Sequence, residues 1–434
     1  MDNLRNSAGP LLYQRAKQII PGGTQLLSKR PEMFVPEYWP AYYSKAKGCR
    51  VWDLDRREYI DMSIMGVGAC VLGYADDEVD DAVSKAIRDG VSSTLNCSEE
   101  VQLAELMIEL HPWFDAVRFA RGGGEAMSIA VRIARAKTSR DLVLFSGYHG
   151  WADWYLASNL AADDALDGHL LPGLEPKGVP RGLLGTSIPF AFDDLDDFER
   201  KVHGMEHQVA AIVIEPARGK AASTEWLSHL RKRATEIGAI LIFDEITSGF
   251  RICNGGAHRA MNVKPDMAVF AKGLANGYAM SAILGTRSVM DSAQETFISS
   301  TNWTERVGPA AALATVTKFG RESVHEHLAA IGELFRSRLN EECPPNWKIS
   351  WNGMPSLLSY EVVSPADNDV SSELTLALLN SGYLASNQFK ASYAHQFSHV
   401  EDFSLAFAQA LREVNEGAFH NTPKKHAGFA RVTT

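Results

Sequence analysis

Short apolar runs recur through the middle of the chain, and nearly all are closed by a charged residue or a glycine. DAVRFA (115–120), DLVLFSG (141–147), AAIVIEP (210–216), ILIFDE (240–245), DMAVFAK (266–272) and SAILG (281–285) are too short for helices. Most lack the apolar-polar alternation of a half-exposed strand. They predict strands buried on both faces, the pattern of a parallel sheet. Helical spacing marks 75–90, 99–110 and 124–138, and further helical stretches separate most of the strands. Strands alternating with helices imply an α/β fold with a mostly parallel sheet covered on both faces, and such sheets bind ligands beyond the carboxyl ends of their strands. Towards the termini the pattern changes. LLYQRAKQII (11–20) predicts a helix stopped by Pro21 and two glycines, followed by strand candidates CRVWDLD and EYIDM. HLAAIGELFRSRLN predicts a helix and PSLLSYEVV a strand after about residue 325. The expected organisation is an N-terminal arm (1–75) that joins a smaller C-terminal domain (326–434), with a large domain (76–325) between them.

Two of the buried runs deliver charge. ILIFDE ends on Asp244 and DMAVFAK on Lys272, where a charge is costly unless something pairs with it. If both strands share a sheet, acid and amine project from one edge. A third element, RGGGEA (121–126), stands between a strand and a helix. Glycines opening a helix let backbone N–H groups approach an anion, and the helix N-terminus favours negative charge. A phosphate, a ring nitrogen that wants an acid and a carbonyl that wants a lysine together describe pyridoxal 5′-phosphate (PLP). Taken singly each signal has an ordinary structural reading. A strand-end Asp is commonly a cap, most lysines are solvated, and a glycine run is commonly a tight turn. RGGGEA also lacks the spacing of dinucleotide and P-loop motifs, which argues against an NAD-dependent dehydrogenase on the same sheet.

Composition narrows the class without choosing a reaction. The chain has 434 residues, 45% of them apolar, enough for two or three domains. A formal charge of −10 disfavours nucleic-acid and anionic-membrane partners. The cysteines (Cys49, Cys70, Cys97, Cys253, Cys343) form no CxxC pair, so neither a disulfide framework nor a metal site is expected. No run of about 18 apolar residues occurs, and a cytoplasmic protein is expected.

IPGGTQ, GCRVWDLDRREYIDM, RFARGGGEAMSIAVRIAR, FSGYHGW, IEP, FDEITSGFR, AKGLANG and GYLASNQF resemble, in order, the motifs of class III PLP-dependent aminotransferases, most closely the glutamate-1-semialdehyde aminomutase branch. The resemblance runs from about residue 15 to 410 and implies PLP fold type I. It implies Lys272 as the Schiff-base lysine and proton shuttle, and Asp244 as the partner of the pyridine nitrogen. Tyr148 and Ile246 would pack the two ring faces, with His149 and Glu215 also at the cofactor. Gly122, Gly123 and Gly124 would cradle the phosphate, aided by Thr301 from a second subunit of a homodimer. A protein on this fold that had given up catalysis would lack Lys272 or Asp244, and both are present.

Departures from the branch bear on the substrate. Relatives carry hydroxyl residues where this chain has Gly122 and Gly124, a serine where it has Leu26, and an acid where it has Lys390. A cation in place of an acid favours an anionic acceptor. These changes argue against the aminomutase reaction, which is kept as the alternative. They favour transfer from an amino acid, L-glutamate by family habit, to a carbonyl acceptor. STNWTERVGP, with Trp303 and Arg306, resembles branch members of sugar and specialised-metabolite biosynthesis. The expected acceptor is therefore a polyhydroxylated or cyclic ketone, such as a 3-dehydroshikimate-type keto acid that could lose water to give an aromatic amine.

Overall fold

The computed structural model describes residues 2–434 apart from 163, 168, 170, 171, 218, 427, 429–431, 433 and 434. Two compact units divide the chain, Asp77–His325 and a second made of Met1–Asp76 with Glu326–Thr434.

The first unit is built on seven strands: β1 (Ala116–Ala120), β2 (Leu142–Ser146), β3 (Ser187–Pro189), β4 (Val209–Ile214), β5 (Ile240–Asp244), β6 (Met267–Phe270) and β7 (Ser281–Gly285). Their order across the sheet is β1-β7-β6-β5-β4-β2-β3. All neighbours pair in parallel except β7, which runs antiparallel to both β1 and β6. The apolar runs are buried on both faces because alternate side chains feed two separate cores. Val143, Phe145, Ala211, Val213, Ile240 and Ile242 meet helix α1 (Gly123–Thr138) through Met127, Ala130 and Ala134. Leu142, Leu144, Ile212, Ile214, Leu241 and Phe243 meet Trp226, Leu227 and Leu230 of the helix Thr224–Ile237. Asp244 has the same parity as Ile240 and Ile242, so it leaves β5 on the α1 side. In the β5–β6 register Asp244 lies opposite Val269, three residues before Lys272. Both charges thus emerge at the carboxyl end of adjacent parallel strands.

The second unit carries two smaller sheets. Tyr43–Lys47, Arg50–Asp53 and Glu58–Asp61 form a meander that Tyr383–Leu384 extends in parallel, Tyr383 opposite Ile60. This pairing joins the N-terminal and C-terminal segments. Lys348–Asn352, Leu358–Val363 and Gln388–Phe389 form the other sheet, antiparallel throughout. Among the described residues no helix is long and apolar enough to cross a membrane, no group of side chains could hold a metal ion, and no disulfide joins the cysteines.

Behind the large sheet a buried histidine reports on pH. His111 donates from Nδ1 to the Met107 carbonyl (2.8 Å) and accepts at Nε2 from the Gly256 N–H (3.1 Å), so the neutral ring satisfies both partners. Burial, and next the charge of His258, push its pKa down from 6.5 to about 4. A depressed histidine makes the unfolded chain bind more protons between those values, so its contribution is full above about 6.5 and lost as pH falls to about 4. The loss is roughly 3 kcal/mol for a shift of this size. The urea midpoint of wild-type protein is expected to fall between pH 7 and pH 4.5, and His111→Gln should flatten that fall. An equal slope in both proteins would mean that other groups set the acid limit.

Candidate active site

The charged turn after β5 is folded around its own acids. Asp244 is buried at 2% exposure, and its Oδ1 accepts the Ile246 N–H (3.0 Å), closing a turn of the kind Asp forms two residues ahead of itself. Its Oδ2 lies 2.8 Å from Nδ1 of His149, whose Nε2 is 3.2 Å from the Ser146 carbonyl. Asp244 and the Ser146 carbonyl thus each meet one ring nitrogen of His149. The adjacent Glu245 faces the other way. Burial raises its pKa, but the His258 ring, Ser248 and the His258 N–H outweigh burial and hold the carboxyl below its ordinary range. Its oxygens take the N–H groups of Ala257 and His258 (2.9 Å each) and the His258 ring (2.7 Å), which ties the turn to the short helix that follows.

Lys272 stands just past β6 with φ of 41°, a left-handed conformation that costs a residue with a Cβ of the order of 1 kcal/mol. Its Nζ donates to Oγ1 of Thr247 (2.8 Å), in the turn that carries Asp244. Strain of this kind gathers where a side chain must be aimed.

The glycine run opens α1, but its three residues are not equivalent. Glu125 reaches back with Oε2 to the N–H groups of Arg121 (2.9 Å) and Gly122 (3.3 Å), so Gly122 spends its donor within the chain. Among the described residues no acceptor meets the N–H groups of Gly123 and Gly124. A Cβ on Gly123 would sit 2.9 Å from Cδ1 of Ile246, and one on Gly150 would sit 2.9 Å from the Gly124 Cα. At Gly150 the neighbour is backbone, so glycine is what permits the approach, whereas at Gly123 it is the tip of the Ile246 side chain. Arg121 fastens the start of the loop, donating from Nη2 to the carbonyls of Trp303 and Glu305 (2.9 Å each).

Tyr148 is aimed by Glu215, which accepts its N–H (2.9 Å). Gly147, at φ 117°, leaves the room that this carboxylate needs, since a Cβ there would lie 2.6 Å from Oε2. The sides of Tyr148, Ile246 and Trp303 pack against the core on the α1 face.

Contacts within this unit therefore link Asp244 to His149 and Ile246, Ile246 to Gly123, Gly124 to the His149–Gly150 turn, and Tyr148 to Glu215. Thr301 is exposed at the start of a short 3-10 turn, and Trp303 lines a cavity of about 430 Å³ with Arg118, Phe119 and Ser300. Leu26 and Lys390 belong to the other unit. Leu26 is 42% exposed. Lys390 donates from Nζ to Gln388 (2.9 Å), and its N–H is held by the Ser63 carbonyl (2.7 Å). Sequence reasoning missed Thr247, for which no local spacing exists, and Glu125, whose place three residues after Gly122 is a helix-capping signal.

These groups suit PLP. Open N–H groups at a helix start suit a phosphate, a fixed buried carboxylate suits a protonated ring nitrogen, and a strained lysine suits a carbonyl. The sequence pattern of the aminotransferase class-III family matches residues 35–390. A 3-aminobutyryl-CoA aminotransferase of Cloacimonas acidaminovorans is 32% identical over 349 residues, 78% of this chain and 80% of that protein. A glutamate-1-semialdehyde 2,1-aminomutase of Acetivibrio thermocellus is 30% identical over 432 residues, 93% of this chain and 98% of that protein. The solved FumI protein of Sphingopyxis sp. MTA144, which carries PLP, superposes with a TM-score of 0.85 over 96% of this chain and 98% of that one, at 25% identity. The chain belongs to the class III PLP-dependent aminotransferases and has their fold type I architecture.

Proposed function

We propose that this aminotransferase moves the amino group of an amino acid, L-glutamate, to an anionic cyclic or polyhydroxylated ketone. The observation that carries the assignment of its centre is the emergence of Asp244 and Lys272 from adjacent parallel strands beside the open N–H groups of α1. PLP supplies a carbonyl to take up the amine and a ring to spread the charge left on the substrate carbon when its proton departs. Asp244 holds the ring nitrogen, with its own orientation set by Ile246 and His149. Lys272 would be the group that moves a proton from that carbon. Gly123 and Gly124 offer backbone donors to the phosphate, while Tyr148 and Ile246 exclude water from the ring faces. Glu215 acts through Tyr148.

A second copy of the chain belongs to this proposal. Thr301, which is exposed, would donate to the phosphate of the neighbouring copy.

The acceptor class rests on Lys390, which stands where the aminomutase branch carries an acid. Leu26 in place of a serine removes a further polar contact. The names of the relatives supply the second reading, an aminomutase, which predicts turnover of glutamate 1-semialdehyde without a separate acceptor.

Two measurements test the centre and one the acceptor. Lys272→Ala should retain less than about a thousandth of wild-type turnover, because the nucleophile and proton shuttle are lost together. Asp244→Asn should fold but lose several powers of ten in single-turnover rate; a near-normal rate would assign the ring nitrogen to another residue. Lys390→Glu should raise the acceptor KM by more than about tenfold and move the donor KM by less than about twofold, since a solvated lysine contributes almost nothing and a partly desolvated one much more. Equal responses of the two half-reactions would remove Lys390 from the acceptor's recognition.

A further inference from the structure

We propose that Thr247 is a positioning residue for Lys272, holding its amine ready for capture of the cofactor aldehyde. The inference rests on the assignment of Lys272 above and goes beyond it to a residue that sequence reasoning did not find.

Three observations carry it. Lys272 Nζ donates to Thr247 Oγ1 at 2.8 Å across a separation of 25 residues. The turn bearing Thr247 is locked on both sides. Ile246 N–H closes on Asp244 Oδ1 (3.0 Å), Gly249 N–H on the Glu245 carbonyl (2.8 Å), and the Ser248 hydroxyl on the Glu245 carboxylate. The hydroxyl is therefore a fixed point. The root of the lysine is fixed as well, by its left-handed backbone and by the Leu274 N–H bonded to the Ala271 carbonyl (2.9 Å). A lysine side chain is flexible between root and tip, and restraint at both ends selects a small set of its conformers.

The chemistry of the partner matters. A carboxylate at this place would hold the nitrogen as an ammonium through a charge-assisted bond. The Thr247 hydroxyl is an uncharged partner that orients the nitrogen. Capture joins Nζ of the neutral amine to the aldehyde carbon, and the aldehyde oxygen leaves as water with the two amine hydrogens. The hydroxyl neither gains nor loses an atom.

The full chain stripped of cofactor, mixed with PLP, should develop a visible absorption band that borohydride fixes onto Lys272. Thr247→Val keeps the shape and removes the hydroxyl, and should slow the growth of that band by about tenfold or more, because a small misplacement of a reacting atom is costly. Thr247→Ser should restore the rate. Pyridoxamine 5′-phosphate makes no bond to the lysine, so its affinity should be the same in all three proteins. Thr247→Ala, with the same slow capture and intact pyridoxamine phosphate binding, replaces the valine variant if that one fails to fold. Capture at the wild-type rate in Thr247→Val, or a parallel loss of pyridoxamine phosphate affinity, overturns the inference. A wild-type protein that forms no band, or one labelled at a different lysine, overturns the assignment of Lys272 instead.

Discussion

A carboxylate at 2% exposure has to be answered, and the architecture around Asp244 is largely that answer. One oxygen closes on the chain's own next turn; the other meets His149, which braces against the carbonyl of Ser146. Those bonds require the carboxyl ends of β2 and β5 to stay in register on one side of the sheet, with β4 between them. They also hold the Gly147–Gly150 turn in place, and Gly150 in turn sets how near α1 can come through Gly124. One buried charge thus fixes two loops and the start of a helix before any ligand is considered.

The second unit uses the same device. Asp61 ends a strand, is buried, and takes the Ser63 N–H at 2.9 Å as Asp244 takes that of Ile246. The Tyr74 hydroxyl closes on its other oxygen at 2.6 Å. Burial leaves its carboxyl above the ordinary range despite these bonds. The loop that follows holds Met65 and Val67 at positive φ, and a branched side chain rarely accepts that backbone. In both units an acid at a strand end pays for an irregular loop.

Much of this was legible in the sequence, for physical reasons. Parallel strands buried on two faces must be apolar throughout, so ILIFDE and DMAVFAK stood out, and a charge at the end of such a run is conspicuous. The glycine run was legible as a helix opening because backbone approach demands it. What escaped was whatever depends on distance through space. SAILG reads like its neighbours yet runs antiparallel, since strand direction is set by connections and leaves no mark on composition. The bond between Thr247 and Lys272 is a product of turns that only the folded chain defines, whereas the spending of the Gly122 donor on Glu125 follows a local capping spacing.

On the role proposed for Lys272, its backbone sets folding and chemistry against each other. At φ 41° an asparagine or glycine would rest more easily than a lysine, so replacing the residue would relieve the backbone even as it emptied the centre of its amine. Laboratory evolution that rewarded heat resistance alone would put no weight on keeping the amine at this position. Selection for turnover has to be applied alongside, because durability by itself carries no memory of why the lysine is there.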